Sequence, residues 1–129
     1  MTQLSRMRIN RLQQVALTAL EDIKAKDITV LDVRKLTSLY DTLIIASADS
    51  TRQVKALANN VQEKMKAAGA TVIGIEGEAV GEWILVDCGD IVVHVMQPAV
   101  RAYYNLEELW TAPAKSHPRP RSHSLAAPL

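Results

Sequence analysis

The chain has 129 residues, 48% of them apolar and 22% charged, with a formal net charge of +1 and a single cysteine. That length suits one domain with a buried core, the lone Cys88 excludes an internal disulfide, and no apolar run reaches the ~18 residues that a membrane helix needs. Phenylalanine is absent, so the core must be aliphatic, and each tryptophan and tyrosine carries weight.

The opening stretch MTQLSRMRINRLQQ is basic and lacks an apolar h-region, so it reads as the start of a helix and not as a secretory signal. A bacterial-type cytoplasmic protein is the expected setting. Leu12, Val15, Ala16, Ala19, Leu20 and Ile23 recur at helical spacing and predict an amphipathic helix over residues 3–25. DITVLDV (Asp27 to Val33) is β-branched and predicts a strand. TLIIASA (Thr42 to Ala48) predicts a second, and its unbroken apolar run implies burial on both faces. Ser50 followed by Gln53 has the pattern of a capping box, Val54 to Met65 mark one buried helical face, and Gly69 is a natural stop. Thr71 to Gly77 predicts a third strand, and Trp83 to Asp87 with Asp90 to Met96 predict a hairpin. Pro98 suits the first turn of a last helix running to about Trp110. The order is α-β-β-α-β-β-β-α, an α/β domain with a mixed five-stranded sheet and flanking helices. This domain occupies residues 1–110. Residues 111–129 hold four prolines and three basic residues and are expected to form a disordered tail.

Charge is distributed unevenly. Residues 1–72 carry 11 Lys/Arg against 7 Asp/Glu, while residues 73–110 carry Arg101 against 7 Asp/Glu. Repulsion between the acidic half and phosphate backbones argues against direct nucleic-acid binding there and favours a basic protein partner. The tail's three cations allow only a weak, salt-sensitive contact with RNA.

Little in the chain supports catalysis. There is no phosphate-binding glycine loop of either common pattern. Cys88 and His94 fall short of the ligands a zinc site needs, and no cofactor is implied. With Cys88-Gly89 as a two-residue turn, Asp87 would face Asp90, Leu85 would face Val92 and Trp83 would face His94. Ile84, Val86, Ile91, Val93 and Val95 then share a core face. Trp83, Leu85, Asp87, Asp90, Val92, His94 and Met96 share an outer face, which mixes acidic and apolar groups. Cys88 sits at the tip, away from His94. Glu76 and Glu78, two apart in a strand, would share one face and could hold a cation. That pair is the basis of an alternative reading, a nucleotide-using transferase. Tyr103 and Tyr104 are adjacent on a helix, so one packs and the other is exposed, with Trp110 as a core lid.

The segments DIKAKDITVLDV, SLYDTLIIASADSTRQV, GIEGE, GEWILVDCGDIVVHVM and YNLEELW, in that order, resemble the Iojap/RsfS family of ribosomal silencing factors. The resemblance implies a small α/β fold similar to nucleotidyltransferases. The paired Gly-Ser and Asp-x-Asp motifs of the transferases proper are missing, so the implied role is not enzymatic. It implies a translational repressor that binds the large ribosomal subunit through ribosomal protein fourteen and blocks joining of the small subunit when nutrients are scarce. Ribosomal proteins are generally basic, so Glu76, Glu78, Asp87 and Asp90 are candidates to meet Lys or Arg. Trp83 is the candidate apolar anchor, with Leu85 and Tyr104 as secondary contacts. Exposed Trp83 and Leu85 would also permit a homodimer.

Overall fold

The computed structural model describes residues 3–111. Its elements are α1 (Gln3–Asp22), β1 (Lys26–Asp32), β2 (Thr42–Ser47), α2 (Thr51–Ala67), β3 (Gly74–Glu76), β4 (Trp83–Asp87), β5 (Ile91–Met96), α3 (Pro98–Tyr104) and α4 (Leu106–Thr111). The strands form one sheet in the order β1-β2-β5-β4-β3. β2 and β5 run parallel and every other pair is antiparallel, so the sheet is mixed, as the sequence predicts. The tail predicted from residue 111 onward lies outside the described residues, apart from Thr111 itself, which closes α4.

β2 lies at the centre of the packing. All six of its residues are buried: Ile44 and Ala46 point into a core beneath α1 and α2, while Leu43 and Ile45 point into a second core on the opposite face. A strand with layers on both sides has no solvated face, which explains the absence of polar alternation. The first core takes Leu12, Ala16, Ala19 and Leu20 from α1 and Val54, Leu57, Val61 and Met65 from α2. The second gathers Val33, Tyr40, Trp83, Leu85, Val92, Met96, Leu106 and Trp110.

Local signals behave as their chemistry dictates, with three changes. The Ser50 hydroxyl accepts a hydrogen bond from the Gln53 N–H at 3.1 Å. The Gln53 side chain, however, does not close a capping box. It donates to the carbonyls of Ile23 and Lys24 and ties the start of α2 to the end of α1. At the other end of α2, the Gly69 N–H donates to the Lys66 carbonyl and the Ala70 N–H to the Met65 carbonyl, a Schellman stop. The last predicted helix is two. Asn105 adopts a left-handed conformation (φ 49°), its N–H donates to the Arg101 carbonyl, and α4 begins at the next residue, Leu106. The third strand is shorter than predicted, ending at Glu76.

Arg101 fastens α3 to the far side of the sheet. Its guanidinium donates to the Asp27 carbonyl (2.6 Å), the Ser47 hydroxyl (2.8 Å), the Thr29 hydroxyl (3.0 Å) and Glu107 Oε2 (2.8 and 3.1 Å). One planar fork thus bridges β1, β2, α3 and α4, and its side chain is only 12% exposed.

Candidate interaction surface

The β4–β5 hairpin turns on Gly89 and Asp90. The Cys88 N–H donates to the Ile91 carbonyl at 2.9 Å, and Gly89, with φ +86°, occupies the first central position, where a positive φ suits the twist of the strands. The predicted turn therefore moves by one residue and the cross-strand pairing by two. Asp87 faces Val92, Leu85 faces His94 and Trp83 faces Met96. The two predicted faces nonetheless survive, because side chains alternate with period two and a two-residue shift keeps each on its side.

Asp87 and Asp90 are not paired across the hairpin. Asp87 Oδ1 accepts the Gly89 N–H at 2.9 Å and stabilises the turn. The Asp90 carbonyl accepts the N–H groups of Asp41 (2.8 Å) and Thr42 (3.0 Å), docking the turn against the start of β2. The carboxyl that interacts with Asp90 is Asp41, which no sequence pattern singles out. Burial, reinforced by the Asp90 charge, holds Asp41 above the usual carboxylate range, with Arg6 opposing. No local motif joins residues 41 and 90, so only the tertiary fold could reveal this pair.

The face predicted to be outward is covered. Trp83 is 8% exposed and Leu85 6%, and His94 is fully buried. α3 and α4 supply the roof: Tyr104 packs on Trp83 with ring centroids 4.7 Å apart, and Trp110 meets Tyr40 edge-on at 5.9 Å. The Trp83 Nε1–H donates to His94 Nδ1 at 2.8 Å. That nitrogen must be bare, so the ring proton sits on Nε2, and burial pushes the imidazole pKa down to about 3. Trp83 and Leu85 thus lie inside the molecule and are not free anchors, and a homodimer through their exposed faces loses its basis. Tyr103, by contrast, is 75% exposed, which gives the predicted division between the adjacent tyrosines. Cys88 belongs to the margin of the first core. Burial and the neighbouring Asp87 push its thiol up to about 11, and His94 lies on the other face of the ribbon, so the two form no nucleophile–base pair.

Glu76 and Glu78 do not share a strand face. β3 ends at Glu76, and Gly77 turns the chain with φ +89°. The turn requires glycine, because a Cβ there would lie 2.0 Å from the Trp83 carbonyl oxygen. Glu78 and Glu82 are exposed beyond the turn, and Glu76 is half-buried. Around this outer strand stand two apolar side chains that the sequence did not mark, Ile73 (65% exposed) and Val80 (61%). The Ile73 N–H donates to the Asp87 carbonyl at 2.7 Å, placing Ile73 beside the hairpin tip. The resulting rim has carboxylates at residues 76, 78, 82 and 87 and large apolar groups at both ends of β3, while Asp90 stands at the hairpin tip on the side that meets the start of β2. Among the described residues none of these carboxylates forms an ion pair, and no cluster of three or more metal-ligating side chains occurs. Such a surface can dock a partner with cations and an apolar contact.

Known proteins share both the sequence and the fold. The family model described as "Ribosomal silencing factor during starvation" matches residues 6–127, which takes in nearly the whole chain. A ribosomal silencing factor RsfS from Chromobacterium violaceum is 60% identical over 104 residues, covering 81% of this chain and 85% of that protein. A mouse protein named for mitochondrial assembly of the ribosomal large subunit is 34% identical over 90 residues, covering 67% of this chain and 40% of its own. A crystal structure of a Chromobacterium violaceum protein superposes with a TM-score of 0.79 at 55% identity, covering 87% of this chain and 93% of that one.

Proposed function

The chain belongs to the RsfS family of ribosomal silencing factors, and from that premise we propose that it represses translation by binding the large ribosomal subunit and obstructing the small one. The finer reading is that ribosomal protein fourteen is the direct contact and that nutrient limitation is the setting. The observation that carries it is the β3 rim, where unpaired carboxylates flank exposed Ile73 and Val80. Ribosomal proteins are basic, so this rim offers charge complementarity for steering and apolar groups for residence. The mechanism is steric occupation of a surface, with no bond made or broken.

Glu78 on the rim and Asp90 at the hairpin tip are exposed and would meet cations of the partner directly, with Glu76 and Asp87 completing the acidic rim. Trp83 and Leu85 lie in the second core with Tyr104 packed on Trp83, so in this reading they are not direct contacts. The transferase alternative is less well supported, since Gly77 turns the chain between Glu76 and Glu78. No helix among the described residues is long and apolar enough to cross a membrane, and a cytoplasmic site of action accords with a ribosomal partner.

Sedimentation with purified large subunits tests the reading. The wild-type chain is expected to travel with isolated large subunits, to be excluded from joined ribosomes and to lower the yield of joined ribosomes when added first. Glu78→Lys with Asp90→Lys, both at exposed positions, is expected to weaken subunit binding at least tenfold with an unchanged circular dichroism spectrum. Retention of full affinity by that variant would remove the rim and the hairpin tip as the docking surface. Absence of wild-type co-sedimentation would remove the ribosomal reading itself.

A further inference from the structure

The helical layer and the β3 rim carry opposite charge, and only the rim has a partner in the reading above. α1 holds three arginines against two acidic residues, and α2 holds four Lys/Arg against one, so the two helices together are at +4. They lie antiparallel on one face of the sheet. The Arg11 guanidinium donates to the Ala68 carbonyl at 3.0 Å and the Gln53 amide to the Ile23 carbonyl at 3.2 Å, which sets the beginning of one helix against the end of the other.

The cations are organised by helical periodicity. Arg52, Lys55 and Lys66 lie on a single outward stripe of α2, opposite buried Val54, Leu57, Val61 and Met65. Glu63, the acidic residue on that stripe, accepts a hydrogen bond from the Asn59 amide at 3.0 Å. Arg11 and Lys64 flank the groove between the helices, where Val15 and Ala19 contribute the apolar wall. Arg8 is exposed one turn before Arg11. Among the described residues the ion pairs are Lys26–Asp49, Arg34–Asp32 and Arg101–Glu107, so none of these six cations is in one, and Asp22 is the single carboxylate lining the groove with Arg11 and Lys64. The two helices extend about 30 and 25 Å at 1.5 Å per residue, long enough to follow several phosphates.

We propose that the α1–α2 face binds the phosphate backbone of RNA. The proposal rests on the ribosomal reading: a ribosomal surface presents RNA next to basic protein, and a chain with an acidic rim and a basic helical layer can span that boundary. The cationic stripe of α2 has no large apolar side chain to insert into a bilayer, which favours RNA over a lipid surface. On α1, however, Leu4 and Met7 stand exposed beside Arg8 and Arg11, so a vesicle measurement must accompany the RNA one. Recognition through phosphates does not depend on base sequence and weakens steeply with salt.

The test uses the full chain in three parallel measurements. These are binding to a generic double-stranded RNA hairpin over a series of KCl concentrations, binding to phosphatidylserine–phosphatidylcholine vesicles, and co-sedimentation with large subunits. The variant Lys55→Glu/Lys64→Glu/Lys66→Glu reverses three exposed charges, and circular dichroism verifies its fold. The wild type is expected to bind hairpins of unrelated sequence alike. Its log–log salt slope should exceed the variant's by about 2, at roughly 0.7–0.9 for each phosphate no longer neutralised. The variant is expected to lose at least tenfold in large-subunit affinity, whereas Glu78→Lys leaves hairpin binding undiminished. No wild-type hairpin binding at low salt, or binding to the vesicles and not to RNA, overturns the proposal. An unchanged subunit affinity and salt slope in the folded triple variant overturns it too, while leaving the ribosomal reading standing. Hairpin binding without co-sedimentation would instead defeat the ribosomal reading and keep the RNA surface.

Discussion

Replacing Arg101 with methionine is expected to loosen the roof of the second core. The substitution keeps a flexible apolar stem of similar reach and deletes the guanidinium that joins α3 to β1, β2 and α4. Glu107 is 31% exposed on its side chain, so its carboxylate regains water and its loss is small. Thr29 is half-buried, and its hydroxyl can rotate to another acceptor. Ser47 is 1% exposed, and losing its partner costs about 1–3 kcal/mol. Adding the charge-assisted bond to the Asp27 carbonyl brings the total to about 3 kcal/mol. With a urea m-value of about 1.5 kcal/mol per molar, the unfolding midpoint should fall by about 2 M. A domain of ordinary stability would remain folded in water. Hydrogen exchange locates the effect: amides of residues 98–111 are expected to lose protection well before those of β2. Arg101→Lys, which keeps the charge and loses the fork, is expected to fall between the two. A midpoint shift below about 0.5 M, or uniform loss of protection across the sheet, would refute Arg101 as the fastener of α3 and α4.

Two further perturbations probe the ribbon. Gly77→Ala places a carbon 2.0 Å from the Trp83 carbonyl oxygen at a positive φ, so it is expected to destabilise by about 3 kcal/mol or more in thermal unfolding, with the left-handed conformation alone contributing about 1–2 kcal/mol. Gly74→Ala, where an added carbon meets nothing within 4 Å, is the control and should change stability little. For His94, burial lowers the folded pKa to about 3 from an ordinary 6.5. The unfolded chain therefore binds the extra proton between those values. Its contribution to stability is complete above pH 6.5 and is lost as the pH falls toward 3. His94→Gln should flatten this part of the stability–pH curve, and an unchanged slope would show that the imidazole is not held neutral.

Much of the architecture follows from local pattern. Helical spacing identified the buried faces of α1 and α2, the unbroken run of β2 signalled burial from both sides, and Ser50 and Gly69 act at the ends of α2. Each of these effects depends on residues within a few positions of one another. The two faces of the hairpin were also readable, because alternation tolerates a two-residue slip. The exact partners were not readable, since Cys88-Gly89 and Gly89-Asp90 are both plausible turns and differ by one residue. Asn105 likewise carries no strong signal of a break, although it can adopt the left-handed conformation that separates α3 from α4.

The site was decided mostly at longer range. The sequence by itself determined that Trp83 and Leu85 lie on the opposite face of the ribbon from Ile84 and Val86, because the pleat allows nothing else. Whether that face met solvent or a second core depended on α3 and α4 folding back over it. Arg101 achieves this by reaching the Asp27 carbonyl, 74 residues away. The same applies to Asp90, whose carboxyl neighbour Asp41 comes from a distant loop, and to Ile73 and Val80, whose exposure depends on β3 being the last strand of the sheet. Periodicity specifies which side chains share a face. What covers that face is set by packing and hydrogen bonds between segments far apart in the chain, and only the tertiary structure determines it.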